Sequence, residues 1–121
     1  MLARGGAMFR FDKQRRDEAL VLVVHGNLDA MTAGDFKAEV VRIAEAKELK
    51  VVVDAAPLTL IDSTGVGVLI SLFKRIRAQG GQVYFAGLTA QPREIFRLLR
   101  LDKSLDLFAT AGEAIAKMAS S

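Results

Sequence analysis

The segment Ile61-Asp62-Ser63-Thr64-Gly65-Val66-Gly67-Val68-Leu69 decides how this chain is read. From Ser63 the apolar residues return with a 3.6-residue period, with Val66, Leu69, Ile70, Phe73 and Ile76 facing inward. Lys74, Arg75 and Arg77 fall near the far end, where cations suit the helix dipole, and Gly80-Gly81 terminates the helix. A carboxylate and two hydroxyls therefore stand at a helix N-terminus, where the first backbone N–H groups lack intrahelical partners.

Working outward from that helix, strands and helices alternate. Phe9 and Phe11 suit a short edge strand, and Ala19 to Val24 is a nearly continuous run of a buried central strand. Thr32 with Asp35 resembles a capping box that opens an amphipathic helix bearing Phe36, Val40, Ile43 and Ala44. Val51-Val52-Val53-Asp54 is a short buried strand, stopped by Ala55-Ala56-Pro57 ahead of a loop through Leu60 and Ile61. Val83 to Ala86 is another strand, followed by a helix with Pro92 in its first turn and Ile95, Phe96, Leu98 and Leu99 on its apolar face. Leu105 to Phe108 is a last strand, and Thr110 with Glu113 caps a terminal helix. The expected order is ββαβαβαβα: a single α/β domain, a mixed sheet covered by about four helices. Residues 1–7 read as a disordered leader, 8–118 as the domain and 119–121 as a tail.

Composition narrows the function. The 121 residues are 51% hydrophobic and 26% charged, with no cysteine and one histidine, so Cys-ligated metals and thiol nucleophiles are excluded and a His-rich metal site cannot be built. The longest uncharged stretch, Ala78 to Pro92, is interrupted by glycines and glutamines and falls short of a membrane span. A cytoplasmic location is expected, with no cofactor and no enzymatic activity. Charge is bipolar: residues 17–62 hold nine acidic and four basic residues, whereas 63–101 hold one and six. That asymmetry favours complementary protein partners over uniform nucleic-acid coating. Arg93, Arg97 and Arg100 form a basic stripe that reads first as a solvated face, then as a surface for an acidic partner or an anionic membrane.

Two readings of Ser63 stand side by side. Capping is the ordinary one, since Ser and Asp are both favoured N-caps and Gly65 and Gly67 would allow close helix packing. The functional one makes Ser63 a phosphoacceptor, exposed at a helix start, whose modification adds about −1.5 to −2 charges beside Asp62 and near Asp29. A hydrolase nucleophile would need a base, and His25, at a strand end, reads as structural. The Asp62-Ser63-Thr64-Gly65 string does not match an aspartic-protease motif, and Gly65-x-Gly67 is no dinucleotide fingerprint.

The order of elements, Gly26-x-Leu28-Asp29 after the second strand, Val51 to Asp54, and above all Asp62-Ser63-Thr64-Gly65-Val66-Gly67 resemble the STAS domain of bacterial anti-sigma factor antagonists. The resemblance covers about Met8 to Met118. It implies that Ser63 is phosphorylated by an anti-sigma factor that is also a serine kinase of the histidine-kinase-like ATPase fold, and that a PP2C-type phosphatase reverses this. It also implies that the unphosphorylated form binds the anti-sigma factor and releases the sigma factor. Partner-binding residues carried over by position are Asp29, Asp62, Ser63, Thr64 and Gly65. Asn27 stands where many members of the family carry Glu, and the sequence pI near 9.5 departs from their often acidic character. The expected partners are proteins, with a weak homodimer as an additional option and with no direct nucleic acid and no membrane span. The competing reading is a constitutive STAS adaptor subunit of a transporter or another signalling complex.

Overall fold

The computed structural model describes residues 9–120; the expected leader, Met8 and Ser121 lie outside the described residues. Strands β1 (Phe9–Arg16) and β2 (Ala19–Leu28) form an antiparallel hairpin closed by Asp17 and Glu18, both at positive φ (51° and 72°). Two such residues in the left-handed region make the tight turn whose twist matches that of paired strands. The edge strand is therefore eight residues long, extending well past the Phe9/Phe11 pair that marks it in the sequence.

Beyond the hairpin every pairing is parallel. Strand β3 (Lys50–Asp54) joins β2, β5 (Gln82–Ala86) joins β3, and β6 (Asp106–Phe108) joins β5, giving the order β1-β2-β3-β5-β6. The valine-rich runs are continuous because both sheet faces are covered. Leu20, Leu22, Val24, Val51, Val53, Val83 and Phe85 face one core, under α1 (Ala33–Glu45), α2 (Ser63–Ala78) and α3 (Ala90–Leu98). The alternate residues Ala19, Val21, Val52, Tyr84 and Ala86 face a second core, closed by Ala114, Ile115 and Met118 of a terminal helix over Ala111–Ala119. Phe9 and Phe11 pack their rings on Phe36 of α1, at centroid distances of 5.2 and 5.5 Å.

The α/β class with a mixed sheet is as expected, with two short elements added. The segment read as a loop is strand β4 (Leu58–Ile61), too short to show a period; it pairs with the end of β2. A helical turn, α4 (Leu101–Ser104), precedes β6, so the terminal helix is α5 and the helices number five among the described residues. Two further expectations fail locally. Leu98 and Leu99 are exposed, because α3 ends at Leu98 and only Pro92 and Phe96 are buried along it. Arg100 has left the helix at φ 60°, so the three-arginine stripe reduces to Arg93 and Arg97 on α3, the latter paired with Glu94. Thr110 does cap α5 by accepting the Glu113 N–H at 3.1 Å.

Among the described residues the one buried charged side chain is Glu39 on α1, 4% exposed. Burial alone would push its carboxyl up, but hydrogen bonds from Lys13 (2.6 Å) and Arg42 (2.9 and 3.1 Å) outweigh that and hold it below the usual range. A carboxylate depressed in the folded state contributes stability above its unfolded pKa and loses it as pH falls through the folded value. Glu39→Gln is therefore expected to flatten the acid limb of the stability profile below about pH 4.5, where the unfolded group titrates. Urea midpoints measured between neutral and acid pH check this; parallel profiles for the two proteins would contradict it.

Candidate functional site at the start of helix α2

Register explains how two distant acidic residues meet. The β2 ladder shifts at Gly26, which sits at φ 85°, and its last residues then pair with β4, Asn27 with Leu60 and Leu28 with Ile61. The residues that follow this last pair are Asp29 and Asp62, so both leave the sheet side by side.

Asp62 is the N-cap of α2. Its Oδ1 accepts the Gly65 N–H at 2.9 Å, its Oδ2 accepts the Ala30 N–H at 3.1 Å, and its own N–H donates to the Leu28 carbonyl at 3.2 Å. One carboxylate thus serves an orphan donor of the helix and ties the loop after β2 to it. Asp29 makes a local turn, its Oδ1 accepting from the Met31 N–H at 3.0 Å. Thr32, expected to cap α1 in a box with Asp35, does something else: its hydroxyl donates to the Asn27 carbonyl at 2.8 Å and accepts the Asp29 N–H at 3.0 Å. It braces the loop rather than the helix. Asp62→Ala removes the cap and the cross-loop bond together, and is expected to cost about 1–3 kcal/mol. Thermal unfolding of Asp62→Ala beside Asp62→Asn, which keeps one acceptor, checks the assignment; equal stability of Asp62→Ala and the parent would contradict it.

With the cap supplied by Asp62, Ser63 is not the cap. It occupies the first helical position and is exposed, and its hydroxyl has no protein partner among the described residues. Thr64 is also exposed, whereas Gly65 is buried against β2 and β4. An open groove runs from here between α1 and α2, lined by Ala30, Ala33, Gly34, Lys37, Thr64 and Gly67. Two apolar side chains flank the area without cover, Met31 (83% exposed) on the loop and Leu60 (45%) on β4. All five residues singled out from the sequence therefore lie on the paired β2 and β4 ends and the first turn of α2. The exposure of Met31 and Leu60 and the bracing role of Thr32, which its spacing to Asp35 marks as a cap, are not legible in the sequence, since neither has a periodic signature.

His25 pairs with Asp12 across the hairpin at 3.1 Å and does not approach Ser63 through any hydrogen bond. No cluster of three or more His, Asp or Glu side chains suited to a metal occurs among the described residues. Nor is any described helix long and apolar enough to cross a membrane.

Residues 10–114 match the family model described as STAS domain. An anti-sigma-B factor antagonist of Listeria monocytogenes is 28% identical over 102 residues, covering 84% of this chain and 89% of that protein. Among solved structures, an anti-sigma factor antagonist from Mycobacterium paratuberculosis superimposes with a TM-score of 0.85 at 19% identity, over 93% of this chain and 95% of that one. The Bacillus cell fate determinant SpoIIAA in its phosphorylated form gives a TM-score of 0.71 at 21% identity, over 89% and 98%.

Proposed function

The chain belongs to the STAS domain family, and on that premise we propose that it is an anti-sigma factor antagonist gated by phosphorylation of Ser63. In this reading the unmodified protein binds an anti-sigma factor that is also a serine kinase of the histidine-kinase-like ATPase fold, and so frees a sigma factor. Phosphate on Ser63 weakens the binding, and a PP2C-type phosphatase restores it. The chain itself acts as a binding partner and a kinase substrate, not as a catalyst, and ATP and magnesium belong to the kinase.

The observation that carries the proposal is the division of labour between Asp62 and Ser63. Asp62 holds the helix start, leaving the Ser63 hydroxyl exposed and unbonded on the first turn. A phosphate there meets backbone N–H groups and the favourable end of the dipole, so the fold tolerates it. The partner meets a new dianion beside Asp62, on a loop that also carries Asp29. Met31 and Leu60 supply exposed apolar surface around that charge, consistent with a protein interface that spans the β2–α1 loop, the end of β4 and the first turn of α2.

The proposal is tested by mixing the purified chain with ATP and the ATPase it captures, then mapping phosphate by mass spectrometry. Phosphate confined to Ser63 supports it. A protein that binds the same membrane or signalling complex whatever stands at position 63 would instead be a constitutive adaptor.

A further inference from the structure

Among the described residues strand β4 has one strand neighbour, β2, yet its last residue, Ile61, is buried (2% exposed), and buried backbone groups need partners. The side chain of Gln91, the second residue of α3, supplies them: Oε1 accepts the Ile61 N–H and Nε2 donates to the Ile61 carbonyl, both at 2.9 Å. A side-chain amide thus stands where a further strand would be. Its approach is shaped by Ala90, which sits at φ 51°, a left-handed conformation that alanine rarely adopts. The Thr89 N-cap makes no side-chain hydrogen bond; Pro92 and Phe96 pack α3 onto the core, and the Gln91 amide joins its first turn to the end of β4.

We infer that Gln91 is a positioning residue for Ser63. Ile61 immediately precedes the Asp62 cap, and Ser63 follows. By holding both polar groups of Ile61, Gln91 fixes the direction in which the chain enters the cap, and with it the single geometry in which the Ser63 hydroxyl is offered to a kinase. The inference rests on the reading of Ser63 as a phosphoacceptor.

Three variants separate positioning from stability alone: Gln91→Ala, Gln91→Glu, which keeps the acceptor for the Ile61 N–H but loses the donor to its carbonyl, and Ile115→Val. The last loosens the second core beneath α5, on the opposite face of the sheet. Each is incubated with lysate of the native organism and magnesium ATP, and the initial rate of phosphate appearance on Ser63 is measured by mass spectrometry. Amide hydrogen exchange at Ile61 is followed in parallel. Gln91→Ala is expected to slow phosphorylation about tenfold, as misplacement of a reacting group does, and to speed Ile61 exchange about tenfold. Gln91→Glu should fall between it and the parent, and Ile115→Val should be phosphorylated at the parental rate. A parental rate in Gln91→Ala, or an equal slowing in Ile115→Val, would overturn the inference while leaving the phosphoacceptor reading intact. Absence of phosphate on the parental Ser63 would overturn both.

Discussion

Gly65→Ala is expected to destabilise the domain by about 3 kcal/mol or more, at or beyond the upper end of the usual overpacking range. The cause is where a methyl group would go. A Cβ at position 65 runs into the carbonyl oxygen of Leu28 and lies 2.8 Å from Ile61 Cγ1 and 2.9 Å from Leu28 Cγ. The side-chain atoms are those of fully buried residues, and the oxygen is backbone of a strand that already accepts the Asp62 N–H. None of these can yield without moving β2 away from β4 or lifting α2 off both, and either movement breaks the cap. The contrast is Gly67, one half-turn further along, where an added Cβ meets nothing within 4 Å. Gly67→Ala should therefore stabilise by up to about 1 kcal/mol through helix propensity. Urea unfolding of both variants measures the difference; similar midpoints for the two would contradict this packing of α2.

The second large effect is on binding. Ser63→Asp, or phosphate on Ser63, is expected to weaken partner affinity by about 1–3 kcal/mol, roughly 5- to 150-fold, through like charge and bulk in an interface built around Asp62 and Asp29. Ser63→Ala should bind like the parent. It should also be as stable to within about 0.5 kcal/mol, because Asp62 supplies the cap and the hydroxyl it removes has no hydrogen-bond partner among the described residues. A loss of the 0.5–2 kcal/mol expected of a true N-cap would return Ser63 to a structural role. The two readouts are independent: stability reports who caps the helix, and affinity reports what the exposed hydroxyl is for.

The sequence carried the class of the fold because its signal there is strong. Two strands buried on both faces read as unbroken valine and leucine runs, and α1 and α2 show long 3.6-residue periods. What escaped were elements too short to have a period. Strand β4 is four residues long and α4 a single turn, both defined by neighbours distant in sequence rather than by their own pattern. The same applies within the site. Asp62, Ser63 and Gly65 announce a helix start in any sequence. That Asp62 rather than Ser63 caps the helix, and that Asp62 also holds Ala30, depends on the Leu28–Ile61 register, which no local pattern encodes. Gln91 is harder still. A glutamine at the start of a helix looks like a solvated polar residue until the unpaired edge of β4 is found beside it.

The most direct test of the partner switch is a capture from lysate of the native organism with three baits, the parental chain, Ser63→Ala and Ser63→Asp, followed by mass spectrometry of the captured proteins and of the Ser63 peptide. The account predicts a histidine-kinase-like ATPase retained by the parent and by Ser63→Ala, lost with Ser63→Asp, and phosphate on the parental Ser63. One set of partners common to all three baits, with Ser63 unmodified, would contradict it.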